Sequence, residues 1–160
     1  MKNKADTALV QAETAAADLR DFSQSLPMAL LRAREAVMAR FRPNLRSYNV
    51  TEQQWRVLRA LAATVGEVET TRLAEMVMLL PSSLSRILKD LIGRSLIVRR
   101  TPETDLRRSL VSLSPKGRAL IAKVSPSSEA IYAEIERLYG TEALAELRAL
   151  LTRLETALGG

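Results

Sequence analysis

Between residues 70 and 113 the sequence places two short helical patterns in close succession, and this spacing constrains the fold more than any other feature. TTRLAEMVML predicts a short helix, LPSS a tight turn, and PSSLSRILKDLIGRS a second helix with Pro81 in its first turn. Two β-rich runs, LIVRRT and SLVSL, follow on either side of the polar segment PETDLRR, which predicts a β-hairpin with a long charged loop. We therefore expect a helix-turn-helix with a hairpin directly after it.

Helical patterns flank this segment on both sides. Before it, apolar residues recur at helical spacing from Leu26 to Leu45, and TEQQWRVLRALAAT predicts a further helix that Thr51 caps. GEVET is long enough for an edge strand at most. After the hairpin, two helices follow, and the first of them is expected to be interrupted or bent around Pro126. The predicted fold class is mainly α with a small β-hairpin wing.

The composition excludes most catalytic and metal-dependent functions. The chain has no Cys and no His, which removes thiolate chemistry, His-based catalysis and the usual zinc and haem ligands. No convergent polar site stands out, so we expect neither an enzyme nor a cofactor. No apolar stretch approaches the length of a membrane span, and the start of the chain lacks the apolar core of a signal peptide. A cytoplasmic protein is therefore expected.

The positive charge is concentrated in the middle of the chain. The net charge is +6, yet residues 40–118 contain 15 Lys and Arg against 7 Asp and Glu. Arg outnumbers Lys by 19 to 5 in the whole chain, and arginine is suited to forked contacts with phosphates and base edges. This distribution favours a nucleic-acid-binding domain in the middle of the chain. The alternative is a solvated surface that happens to be rich in arginine.

The second helix of the helix-turn-helix carries the first group of candidate DNA contacts. A helix that enters the major groove presents its first turns to base edges and phosphates. Its polar residues in that half are Ser82, Ser83, Ser85, Arg86 and Lys89. Ser82 has a second interpretation as a helix cap that does not contact DNA.

The hairpin loop carries the second group. Arg107 and Arg108 are expected at its tip, where an arginine can enter a narrow minor groove. Asp105 would repel phosphate, so we expect it to orient a neighbouring arginine. The alternative is a loop that is merely soluble.

Two segments resemble one known family. DLRRSLVSLSPKG resembles the wing signature of MarR-type winged helix-turn-helix regulators, and PSSLSRILKDL resembles their recognition helix. LLRAREAVMARFRPNL with TEQQWR is similar to the subgroup of repressors of homoprotocatechuate-degradation operons. One departure concerns the exit from the recognition helix, where the family usually has a Gly and this chain has Ser95, with Gly93 two residues earlier.

The last helix suggests self-association. Its leucines form an apolar stripe that is broader than one domain must bury: Leu144, Leu147, Leu150, Leu151, Leu154 and Leu158. With helices at both chain ends, this stripe favours a homodimer whose two recognition helices match a palindromic site in double-stranded DNA. The resemblance implies the same arrangement.

The resemblance also implies a small aromatic carboxylate as effector. A carboxylate in an apolar cleft needs an arginine fork and a flat apolar wall. The candidates are Arg34 and Trp55, with Ser25 and Glu35 as further polar partners. The alternative is that Arg34 and Glu35 are surface charges and Trp55 is a core residue.

Together these features predict a homodimeric repressor of an aromatic-catabolic operon. Two alternatives stay open: a winged-helix regulator of another process, and a protein-docking winged-helix module without an aromatic effector. A protein-docking face would be more apolar and aromatic than the Ser- and Arg-rich helix. The expected segments are a mobile or weakly helical arm (1–24), a first dimerisation helix (25–50), a winged helix-turn-helix DNA-binding lobe (51–114) and C-terminal dimerisation helices (115–160).

Overall fold

The structure is a computed structural model of the 160-residue chain and describes residues 21–103, 105 and 108–159. Its elements are α1 (Leu26–Ser47), α2 (Glu52–Ala62), β1 (Val68–Glu69), α3 (Thr70–Met76), α4 (Pro81–Gly93), β2 (Ile97–Arg100), β3 (Leu110–Leu113), α5 (Pro115–Tyr139) and α6 (Thr141–Ala157). The described residues fall into two compact units, which divide within α1 between Ala39 and Arg40. The predicted fold class, mainly α with a small β-hairpin wing, is confirmed.

The smaller unit contains the first part of α1. The Ser25 hydroxyl accepts a hydrogen bond from the Met28 amide (3.3 Å), which satisfies one free N–H at the start of this helix. Phe22–Gln24 form a short 3-10 turn ahead of it, and the rest of the predicted N-terminal arm, residues 1–20, lies outside the described residues. Several apolar side chains of the helix remain exposed: Leu26, Leu30, Leu31 and Val37.

In the larger unit, α2 to α5 and the sheet enclose an apolar core. Helix α2 begins with a capping box, in which Thr51 and Gln54 each accept a hydrogen bond from the other's backbone amide. These helices and the sheet contribute fully buried side chains to the core, among them Leu58, Leu73, Leu84, Leu91, Val111 and Val124. The helix-turn-helix is therefore held by burial of one apolar face of each helix.

Helices α3 and α4 form the predicted helix-turn-helix, but the turn lies earlier than LPSS suggests. It spans residues 77–80, and Met78 adopts a left-handed backbone with φ of 49°. Pro81 is the first residue of α4, and Leu80 is the N-cap without a side-chain cap bond. The interpretation of Ser82 as the cap is therefore wrong, because Ser82 lies inside the first helical turn.

The exit from α4 keeps the conformation that a glycine normally supplies. Ser95 has a φ of 58°, and its amide donates to the Ile92 carbonyl (2.8 Å) while the Leu96 amide donates to that of Leu91 (2.9 Å). This pair of hydrogen bonds is the Schellman motif that ends many helices. A left-handed backbone costs a residue with a Cβ roughly 1–2 kcal/mol, so this chain retains the turn at a moderate cost.

The three strands form one antiparallel sheet in the order β1–β3–β2. Ile97 pairs with Leu113 at one end of the hairpin and Arg100 with Leu110 at the other. The predicted edge strand is confirmed as β1, in which Val68 pairs with Val111. Residues 104, 106 and 107 of the hairpin loop lie outside the described residues.

The base of the hairpin is joined to the start of α5 at very short range. The Ser114 hydroxyl donates to the Ser95 carbonyl (2.7 Å) and accepts from the Gly117 amide (2.9 Å), while the Ser114 amide donates to the Leu96 carbonyl (3.1 Å). A Cβ on Gly117 would lie 2.0 Å from that same Leu96 oxygen. Glycine is therefore required here for close approach of two backbones rather than for a special φ.

Helix α5 continues through Pro126, so the helix is not interrupted there, and the alternative of a bend around Pro126 stays a prediction. Helix α6 follows after Gly140 and has no buried residue among those that the structure describes. None of the helices in the described ranges is both long and apolar enough to cross a membrane.

The short contact at Gly117 leads to a stability prediction. Gly117→Ala should lower the free energy of unfolding by about 3 kcal/mol or more, because its methyl group would meet the Leu96 backbone oxygen, which already accepts the Ser114 amide. Gly93→Ala is the control, since a Cβ there meets nothing within 4 Å, and it should leave stability unchanged or raise it by up to about 1 kcal/mol. Urea unfolding at fixed protein concentration measures both. Equal stability of the two variants would show that the junction tolerates a side chain.

Candidate functional site

The second helix of the helix-turn-helix, α4, has one apolar and one polar face. Leu84, Leu88 and Leu91 are buried, and Ile87 is partly buried, as predicted for the core side. The opposite face exposes Ser82, Ser85, Arg86 and Lys89, with Ser83 half-buried beside them. These five side chains form no hydrogen bond or ion pair with another described residue. The helix thus presents hydroxyl and cationic groups that are available for a partner.

The start of α4 adds free backbone donors to this face. Since Leu80 supplies no side-chain cap, the first amides of the helix are not satisfied by a capping side chain. The helix dipole places partial positive charge at the same end. Hydroxyls, amides and the Arg86 guanidinium together suit base edges and phosphates of a duplex.

Two wing arginines form ion pairs with glutamates, one on β1 and one directly before it. Arg100 forms a forked ion pair with Glu67, with Nε–Oε1 and Nη2–Oε2 distances of 3.0 and 2.5 Å. These hydrogen bonds hold the pKa of the Glu67 carboxyl below its ordinary value and raise the pKa of Arg100. Arg108 forms an ion pair with Glu69 through a single contact, from its Nε to the Glu69 Oε1. Both pairs brace the wing against the first strand.

The predicted loop contacts are placed only in part. Arg108 is exposed at the end of the loop, whereas Arg107 lies outside the described residues. The backbone carbonyl of Asp105 accepts a hydrogen bond from the Arg108 amide (3.1 Å). The orienting role of the Asp105 carboxylate stays a prediction.

Sequence reasoning missed Arg99, the residue next to Arg100 on β2. Its Nε donates to the Ser109 hydroxyl (2.7 Å), and its side chain lines a hollow of about 120 Å³ between the wing and the helix-turn-helix. Thr70, Thr71 and Ser85 line the same hollow. The sequence shows two adjacent arginines, RR, but not which of them faces a carboxylate.

The four candidate effector residues do not form one cluster within either compact unit. Arg34 and Glu35 form an ion pair (2.6 Å) in the smaller unit, each with 44% of its side chain exposed, and Ser25 caps α1 there. Trp55 belongs to the larger unit, where it is buried and has the Arg59 guanidinium 5.9 Å from the centre of its ring. Arg59 lies one helical turn after Trp55. It is therefore a cation beside the aromatic ring predicted to form the apolar wall of the effector site.

A second cavity of about 460 Å³ lies at the end of α1 and the start of α2. Its arginines are Arg42, Arg46 and Arg94, but Glu52 and Asp90 also line it. Arg42 pairs with Glu52 (3.3 Å) and Arg94 with Asp90 (3.5 Å). These carboxylates reduce the attraction of the cavity for an anion.

The helix-turn-helix, its wing and the polar face of α4 define a winged-helix DNA-binding protein. A sequence profile of the MarR family matches residues 48–108. The HTH-type transcriptional regulator FarR of Neisseria gonorrhoeae is 37% identical over 130 residues, which cover 81% of this chain and 88% of FarR.

Two further comparisons agree. The homoprotocatechuate degradative operon repressor of Escherichia coli is 38% identical over 127 residues, covering 79% of this chain and 85% of the repressor. The crystal structure of NadR in complex with 4-hydroxyphenylacetate matches with a TM-score of 0.72 at 35% identity, covering 85% of this chain and 96% of that one. The chain belongs to the MarR family of transcriptional regulators, and the resemblance found in its sequence is confirmed.

Proposed function

We propose that this regulator is a homodimeric repressor of an aromatic-catabolic operon and that a small aromatic acid releases it from its palindromic operator in the cytoplasm. The observation that carries the DNA-binding part is the division of α4 into a buried leucine face and an exposed Ser, Arg and Lys face. The protein acts through binding equilibria and performs no chemical step.

Docking of α4 in the major groove follows from the residues on its exposed face. Arg86 can fork onto a guanine edge, the hydroxyls of Ser82, Ser83 and Ser85 can accept or donate, and Lys89 lies one turn further along for a phosphate. Asp105, Arg107 and Arg108 are proposed at the adjacent minor groove. Arg108 must then exchange its Glu69 partner for DNA.

Self-association is supported by the apolar stripe of α6. Leu150, Leu151 and Leu158 are exposed, and 36% of Leu147 is accessible, which is unusual for a repeated leucine face in an isolated protein. A two-fold dimer would cover this stripe and set two recognition helices about 34 Å apart, one turn of DNA. Leu26, Leu30, Leu31 and Val37 give α1 an exposed apolar face of its own, as expected for the predicted first dimerisation helix.

For the effector, we propose Trp55 as the ring wall and Arg59 as the carboxylate partner. The two side chains already lie together, and a guanidinium over an aromatic face keeps free N–H groups at its edge for a carboxylate. Arg34, Ser25 and Glu35 stay predicted contacts from the first helix. The aromatic class of the effector is supported by the 4-hydroxyphenylacetate bound to NadR and by the name of the Escherichia coli repressor.

Release of the operator then follows from linkage. An effector that binds the DNA-incompetent arrangement tenfold better shifts the equilibrium by about 1.4 kcal/mol. Such a ligand need not touch the groove-facing residues, because a change in the spacing of the two recognition helices is enough to lose one half-site.

The dimer is tested by the double substitution Leu147→Glu and Leu151→Glu. Two buried carboxylates in an apolar interface should convert a dimer into a monomer of 17.7 kDa at micromolar concentration, as measured by size exclusion with light scattering. Ala149→Glu, on the opposite face of α6, should leave the mass at twice that value. A monomeric native protein would contradict the two-half-site arrangement.

The docking mode is tested on α4, with an operator selected from a random duplex library and binding followed by fluorescence anisotropy. Arg86→Ala should weaken specific binding by about 1–3 kcal/mol and relax the preference at one base pair. Lys89→Ala should weaken binding to all sequences and lower the salt slope by about 0.9. If both variants bind like the native protein, α4 does not enter the groove in this orientation.

The effector site is tested by calorimetry with 4-hydroxyphenylacetate, 3,4-dihydroxyphenylacetate and a series of benzoates. Arg59→Gln should weaken binding at least tenfold, since it removes the charge opposite the carboxylate. Arg34→Gln measures the predicted contribution of the first helix. Arg137→Gln is the control, because it removes the same charge from an exposed arginine in the last turn of α5 that is not proposed to contact the effector. Binding that is unaffected by both Arg59→Gln and Arg34→Gln would place the pocket elsewhere, and absence of binding would remove the aromatic assignment.

A further inference from the structure

We propose that Arg99, together with Thr70, Thr71 and Ser85, binds one backbone phosphate of the DNA duplex, and that Arg99 rather than Arg100 supplies the charge of the wing strand to DNA. This inference rests on the proposed function, because it presumes that α4 faces the major groove. It adds a phosphate site that lies between the wing and the helix-turn-helix.

The three described wing arginines differ in how far a carboxylate neutralises them. Arg100 and Arg108 are each paired with a glutamate of the β1 segment, so most of their field is cancelled. Arg99 has no carboxylate partner among the described residues, and its one hydrogen bond uses Nε, which leaves the two terminal nitrogens free. A guanidinium held at Nε with its fork open is arranged for an oxyanion.

Polar side chains from several elements converge around the hollow. Thr70 and Thr71 begin α3, Ser85 lies on α4 and Arg99 on β2, so three separate elements bring hydroxyls and a cation to one place. Buried Leu84 and Leu88 form the apolar side of the hollow. Apolar walls lower the local dielectric and strengthen the attraction between the guanidinium and an anion.

The hollow is small and lies beside the exposed face of α4. The hollow of about 120 Å³ is well below the roughly 300–1,000 Å³ of small-molecule pockets, so a single phosphate group suits it better than a free effector. Ser85 belongs both to this hollow and to the exposed face of α4. A phosphate in the hollow therefore lies beside a helix docked in the groove, where the backbone of the same duplex must run.

The test uses a 24-base-pair duplex of random sequence, because phosphate contacts are independent of sequence. Affinity is measured by fluorescence anisotropy between 50 and 200 mM salt. Arg99→Gln should lower the salt slope by about 0.9, which corresponds to about eightfold weaker binding at 0.1 M salt if the electrostatic contribution vanishes at 1 M. Arg99→Lys should retain the slope.

The double variant Arg100→Gln with Glu67→Gln is the matched control, since it removes the guanidinium of the neighbouring residue together with its carboxylate partner and leaves the net charge unchanged. Its slope should change by much less than that of Arg99→Gln, because this ion pair contributes no net charge to the wing. Thr71→Val removes a neutral donor and should weaken binding without a change in slope. Circular dichroism and thermal melting establish that each variant is folded.

The outcomes separate this inference from the proposed function. If the native protein binds the duplex and Arg99→Gln binds with the same slope, or if the double variant Arg100→Gln with Glu67→Gln loses as much slope as Arg99→Gln, the phosphate site is wrong and the proposed function stands. Tight binding of inorganic phosphate to the free protein, with duplex affinity unaffected by Arg99→Gln, would assign the hollow to a free anion instead. A native protein that shows no salt-dependent binding to any duplex would overturn the proposed function itself.

Discussion

The close approach of Gly117 to the Leu96 carbonyl is the contact on which the rest of the larger unit depends. Leu96 immediately precedes the first wing strand, and Gly117 lies in the first turn of α5, so this contact joins the hairpin to the long helix. The carbonyl accepts from the Ser114 amide, and the Ser114 hydroxyl bonds to both sides of the junction. The position of the wing relative to α4 is therefore set by backbone atoms, which leaves the side chains of the wing free to vary.

Three of the helices that the structure describes end at residues with a left-handed backbone, which has an energetic cost. Asn49, Met78 and Ser95 have φ values of 55°, 49° and 58°, and each is followed by an amide that bonds back to the last turn. At roughly 1–2 kcal/mol for a residue with a Cβ, somewhat less for asparagine, these ends are a considerable cost in a domain of this size. The cost is offset by the burial of the leucines and valines that the sharp turns bring into the core.

The wing shows how charge is divided between structure and function. Glu69 lies on β1 and Glu67 directly before it, and β1 pairs with β3 on the side opposite β2. Each glutamate forms an ion pair with an arginine of the wing. A surface ion pair contributes little to stability, so these pairs matter more for orientation and for net field than for the free energy of unfolding. They leave the wing strand with one arginine, Arg99, whose charge is not opposed by a carboxylate among the described residues.

The sequence by itself determined the order of the elements, the mainly α fold class, the core face of α4 and the family, because periodicity, capping residues and turn residues act over a few positions of the chain. Local patterns could not locate the turn at Met78, show that α5 continues through Pro126, or distinguish Arg99 from Arg100. Those features were decided by tertiary structure. Arg100 forms an ion pair with Glu67, and Arg59 lies beside the ring of Trp55. Such contacts depend on which side chains the folded core brings next to each other. The local sequence around either residue does not specify this, because it is decided by packing between elements.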